Sequence, residues 1–139
     1  MKSLAVLLSL LLGMMVVPAN AVAIPDHVEV SDAYGEARFP SYYHHYGRIR
    51  GVCKDDYGKV TGWFTGYLFK DGYLKGTGVT FEGGAFPIHG YWDEKDFYAE
   101  GWFRDDYHTR FDVEIHGKFG YPHYHRVPWE GEWKKERKD

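Results

Sequence analysis

The plainest pattern in this chain is the alternation from Arg110 to Phe119. Phe111, Val113, Ile115, Gly117 and Phe119 take one side, and Arg110, Asp112, Glu114, His116 and Lys118 take the other. A period of two with one apolar and one charged set predicts an antiparallel strand with a buried face and a wet face. Phe97, Ala99, Gly101 and Phe103 alternate in the same way with Tyr98, Glu100, Trp102 and Arg104. Residues 48–53, 60–69, 73–81, 88–92 and 129–134 read as further strands. Asp71-Gly72, Gly83-Gly84 and Asp93-Glu94-Lys95-Asp96 between them are turn formers.

Beyond the first 23 residues no window keeps apolar residues at i, i+3, i+4 and i+7 for three turns, so no helix is expected. The fold class that follows is all-β. It is an antiparallel meander of six or seven short strands over residues 47–134, forming a curved sheet, an open barrel or stacked hairpins. Residues 24–46 read as an extended arm with one short strand near residues 28–30, and residues 135–139 as a charged tail. Gly62, Gly90, Gly101, Gly117 and Gly131 stand one or two positions before an aromatic. Such glycines let a ring lie over bare backbone or let the sheet curve without a Cβ clash.

The first residues change the picture of where the protein works. Lys2, an apolar run to Val17, Pro18 and the small residues Ala19, Ala21 and Ala23 have the layout of a secretory signal peptide. Cleavage after Ala23 is expected, with Ala21 as the alternative, and the destination is secreted or periplasmic. The apolar run is shorter than the roughly 20 residues of a spanning helix, and no transmembrane segment is expected in the mature chain. Removing Lys2 leaves 16 basic against 20 acidic residues, a net charge of −4. An evenly mixed, mildly acidic surface without a basic stripe argues against nucleic acid as a partner. Cys53 is alone, so no intramolecular disulfide forms. It is either a buried, inert thiol, as unpaired cysteines usually are, or an exposed one that pairs with another chain.

Several pieces recur: Gly-Trp-Phe at 62–64 and 101–103, and a basic residue followed by Asp-Asp-Tyr at 54–57 and 104–107. Phe69-Lys-Asp-Gly72-x-x-x-Gly76-x-Gly78, His89-Gly90-Tyr91-Trp92 and Trp129-Glu-Gly131-Glu-Trp133 resemble the unit of MORN-repeat proteins, and Phe69 and Trp92 lie 23 residues apart, the usual period of that family. The resemblance covers about half of the mature chain in fragments. The unit after Trp92 departs from it, with Lys95 and Ala99 at glycine positions. The resemblance implies stacked β-hairpins that scaffold proteins or touch membranes, and it implies no catalysis.

Candidate chemistry lies in three sets of residues. His123 and His125 would share one face if they stood in a strand, and His116 would supply a third nitrogen, a set suited to Zn or Cu. Asp55-Asp56 and Asp105-Asp106 read either as turn formers or as acid and base of a glycan-active hydrolase, with Asp105 and Glu114 the carboxylates to substitute if hydrolysis is seen. Ser31 and Ser41 lack a nucleophile context and Cys53 lacks a partner, so no catalytic residue is assigned. The third set is aromatic. Trp63, Tyr67, Tyr98 and Trp102 fall on the register opposite to the core residues Phe64 and Phe103. They either form an open binding face or a second apolar face buried by a sandwich or closed barrel.

The reading that follows is a small exported, non-catalytic binding or scaffold domain. It uses an aromatic face to contact a glycan, a protein or a membrane-surface partner. The alternative is a secreted His-rich Zn- or Cu-binding protein, and the third is a glycan-active hydrolase.

Overall fold

In a computed structural model, residues 27–39 and 46–138 are described, and these form eight antiparallel strands with no helix among them. In chain order they are β1 Val28–Arg38, β2 Tyr46–Lys54, β3 Val60–Phe69, β4 Tyr73–Thr80, β5 Gly84–Trp92, β6 Asp96–Arg104, β7 Arg110–Phe119 and β8 Arg126–Lys138. Each strand pairs with the next, and β1 also pairs with β8, so the meander closes into an up-and-down barrel. Residues 1–23, expected as a signal peptide, lie outside the described residues.

The meander is therefore all-β as expected, with one strand more than the six or seven read from the pattern, and the sheet is closed. The extra strand is β1, eleven residues long where a short strand near residues 28–30 was expected. Its inward positions are Ser31, Ala33, Gly35 and Ala37. Small side chains give no apolar alternation to read, but they suit the strand that must slot between two others. The segment expected as a charged tail continues β8 as far as Lys138, where Lys135 lies 2.6 Å from Glu82 and 3.5 Å from Glu29.

An eight-stranded barrel has an interior just wide enough for side chains to fill, and this one is filled. Phe64, Phe97 and Trp129 meet at its centre, with ring centroids 4.8 Å apart for Phe97 and Trp129 and 5.6 Å for Phe64 and Trp129. The Trp129 indole N–H donates to the Arg50 carbonyl at 3.1 Å, and that of Trp133 to the Lys54 carbonyl at 2.9 Å, so neither buried donor is orphaned.

Large and small residues share an inner layer, where the adjacent pairs Leu68–Leu74 and Ile115–Trp133 are separated by Gly90 and Ala99, with Gly47 beside Leu68. Of the glycines singled out in the sequence, Gly117 is overlaid by the Phe97 and Trp129 rings, while a Cβ on Gly62, Gly90, Gly101 or Gly131 would meet neighbouring backbone. Ring cover and tight curvature are both in use, at different positions.

The outer wall carries charge on many strands, including Arg50, Lys75, Glu100, Glu114 and Lys134. Among the described residues these charges fall where a lipid-facing barrel carries an apolar band. No helix among the described residues is long and apolar enough to cross a membrane.

Candidate functional site

Alternation sends Trp63 and Tyr67 outward from β3, and Tyr98 and Trp102 outward from β6. Trp63, Tyr67 and Trp102 are 40%, 48% and 47% exposed, so the closed barrel does not bury this register. Three strand steps separate β3 from β6 around the barrel, which puts the four aromatics on two walls.

Among the described residues, the wall of β1 to β4 is covered only at its far end, where Lys54 lies 4.7 Å from the Tyr34 ring centre and Phe81 packs edge-on to Trp63 at 5.8 Å. Three rungs of outward residues cross it. The first runs Arg126, Arg38, Arg48, Tyr67 and Lys75; the second Glu36, Arg50, Thr65 and Thr77; the third Tyr34, Val52, Trp63 and Val79. A groove of about 390 Å³ lies over the first two rungs, with Gly66, Gly76 and Ile49 at its floor. A second, of about 380 Å³, lies over the second and third and is bordered by Tyr34 and Trp63. The grooves share Glu36, Arg50 and Thr65, and Arg50 Nη2 donates to Glu36 Oε1 at 2.9 Å.

The β6 wall is occupied by its own side chains. The Arg110 guanidinium lies 4.6 Å from the Trp102 ring centre and that of Arg104 5.8 Å from it. Arg110 Nε also donates to Asp112 at 3.0 Å, and Arg104 Nη1 to the His108 carbonyl at 3.1 Å. Trp102 is thus covered by two cations on its own wall. Tyr98 donates to Glu100 Oε2 at 3.0 Å. Desolvation, that hydrogen bond and the nearby Glu114 charge raise its phenol above the ordinary range. It borders an acidic groove of about 380 Å³ with Asp93, Asp96, Glu114 and His116. The Asp93 carboxyl is held low by the amides of Asp96 and Lys95.

The three candidate histidines lie on β7 and in the β7–β8 connection. His116 Nε2 lies 3.3 Å from Asp96 Oδ2. His123 and His125 sit in the β7–β8 connection, where Tyr124 has φ 60° and His123 pairs in an isolated bridge with Arg126. The strand geometry that would aim His123 and His125 the same way is absent there. Among the described residues no three His, Cys, Asp or Glu side chains are grouped to hold a metal ion.

The acidic pairs build turns. Asp55 Oδ1 accepts the Tyr57 and Lys59 amides, both at 2.9 Å, and Asp105 Oδ1 accepts those of Tyr107 and Thr109, both at 2.9 Å. Glu114 lies 3.4 Å from Lys134. Cys53 is buried, and desolvation pushes its thiol up to about 12, so it stays a neutral, inert group.

Sequence reasoning reached Trp63 and Tyr67 but not Tyr34, Arg38, Arg48 or Arg126 beside them. Arg38 fell in the presumed arm and Arg126 in a presumed loop. The one available signal was Glu36-x-Arg38 and Arg48-x-Arg50 at strand spacing on either side of a short connection. No family model, curated protein or solved structure matches this chain.

Proposed function

We propose that this protein is an exported, non-catalytic binding domain that holds a glycan against the outer wall of β1 to β4. The observation that carries this reading is the pair Trp63 and Tyr67, four residues apart on one outward strand face and each bordering a groove. At about 3.3 Å per residue the rings stand roughly 13 Å apart. That is far enough to stack on separated sugars of one chain. Between them Glu36, Arg50 and Thr65 offer donors and acceptors suited to hydroxyl groups. Aromatic faces with flanking polar groups are the usual means of binding flat, half-apolar ligands. The packed interior supports an external site, since Phe64, Phe97 and Trp129 fill the space a ligand would need.

The test is titration of soluble oligosaccharides against tryptophan fluorescence. Trp63→Ala and Tyr67→Ala should each weaken binding by about two- to tenfold, the worth of one aromatic contact, while Trp102→Phe should leave it unchanged. Equal losses from Trp102→Phe and Trp63→Ala, or no binding by any saccharide, would sink the reading.

A further inference from the structure

The first rung of the open wall places like charges side by side. Arg38 on β1 stands directly across from Arg126 on β8 and from Arg48 on β2, and the row continues through Tyr67 to Lys75. Like charges directly opposite on neighbouring strands are destabilising. Like charges also face each other at Arg104 and Arg110 and at Glu100 and Glu114, but each of those has a partner: Arg110 has Asp112, Arg104 the His108 carbonyl, Glu100 the Tyr98 hydroxyl and Glu114 Lys134. Among the described residues no carboxylate pairs with Arg38, Arg48 or Arg126, and residues 40–45, which join β1 to β2, contain no Asp or Glu. The arginine row is also not diffuse surface charge. Arg38, Arg48 and Arg50 line the same groove, and Tyr67 closes its side.

From this we infer that the glycan bound by this wall is an acidic polysaccharide, whose sulfate or carboxylate groups sit between Arg38 and Arg48 while a sugar ring stacks on Tyr67. The inference rests on the glycan reading above. Guanidinium forks bind carboxylate and sulfate oxygens in pairs, and they do so more strongly than neutral donors. An anion between Arg38 and Arg48 also removes the repulsion within the row, so binding and stability are coupled. Tyr67 sets the class of ligand. An isolated inorganic anion has no use for an exposed ring, whereas a charged sugar presents an anionic group and an apolar ring face together. Nucleic acid offers the same two features. The row is short, however, and the chain is net acidic at −3, without the extended basic stripe that tracks a phosphate backbone.

The experiment is calorimetric titration of the purified protein at about 0.15 M salt, where long-range attraction is screened. The probes are dextran, dextran sulfate, polygalacturonate and an oligothymidylate, each against the native chain, Arg38→Gln/Arg48→Gln and Arg104→Gln. Because the double variant removes repulsion, it should unfold no earlier than the native chain, and a thermal melt checks this. One of the acidic polymers should bind at least tenfold more tightly than dextran, the tighter of the two naming sulfate or carboxylate as the group read. The double variant should lose that advantage by tenfold or more, and Arg104→Gln should keep it. Equal binding of dextran and the acidic polymers would overturn the acidic ligand while leaving the glycan reading in place. An advantage that survives in the double variant would also overturn it, as would oligothymidylate binding as tightly as the polymers. Binding of no polysaccharide at all would overturn both readings.

Discussion

Two walls of one barrel treat the same residue types in opposite ways. On β6 and β7, Trp102 lies under Arg110 and Arg104, and Arg110 is also engaged by Asp112. Arg104 donates to the His108 carbonyl, so both cations over the ring have a partner from their own wall. On β1 to β4, Tyr67 faces Arg48, which faces Arg38; these guanidiniums are cross-strand neighbours just as Arg104 and Arg110 are, but among the described residues neither has a carboxylate partner. Composition is nearly the same: arginine beside an exposed ring. The difference is where the carboxylate falls. Asp112 is two residues from Arg110 on one strand, while Glu36 on the open wall is taken by Arg50, one rung away from the row. An exposed aromatic is therefore a poor guide to a binding site until its neighbours are known. Self-satisfaction marks the scaffold, and unmatched charge marks the open surface.

The largest expected effect tests whether the walls share one support. Trp129 touches Phe64 under the β3 wall and Phe97 under the β6 wall. Trp129→Ala should cost about 3–5 kcal/mol, and thermal unfolding should show both walls lost in a single transition. Survival of the Trp102 environment beyond the loss of Trp63 would mean that the walls are carried separately. A smaller effect compares the arginines themselves. Arg110→Ala should lower stability by about 1 kcal/mol through its ring and ion-pair contacts, whereas Arg38→Gln should raise it by a few tenths of a kcal/mol. Urea unfolding of the two variants decides this, and an equal cost at Arg38 would make its row structural.

A further comparison concerns the turns beneath each wall. Residues 55–59 and 105–109 form the same reversal, with the same aspartate hydrogen bonds, but Gly58 at φ 79° is replaced by His108 at φ 66°. A left-handed conformation is costly for a residue with a Cβ. His108→Gly should therefore stabilise by up to about 1 kcal/mol and Gly58→His should destabilise by a similar amount. Denaturation midpoints that moved in the same direction for both would show that the two turns are not equivalent.

Much of this architecture is written locally, and local signals were readable. The alternation in residues 110–119 marks β7 from end to end, and residues 60–69 do the same for β3. The turns at Asp71-Gly72 and Asp93 are as the residue types indicate, with Asp71 accepting the Tyr73 amide at 3.0 Å and Asp93 that of Lys95 at 2.7 Å. What escaped was long-range. β1 has small inner residues and no apolar period, and nothing near residue 33 announces a pairing with residue 131. The arginine row joins positions 38 and 48 across one hairpin, but position 126 becomes their neighbour only once the barrel is closed. Trp63 and Tyr67 were legible because both lie on one strand, where a period of two fixes the face.

The seam between β1 and β8 also governs time. Its eleven rungs join residues 28–38 to residues 126–136, so the earliest strand of the barrel waits for the latest. Until that last strand arrives, β1 and β7 each present a bare edge, the template on which extended chains add to one another. Pairings of such wide sequence separation are slow to form, because the entropy of closing the loop is lost before the contacts are made. A polypeptide emerging from its N-terminus cannot seal before its last strand is made. The same property makes the interval before closure the moment of greatest exposure to aggregation.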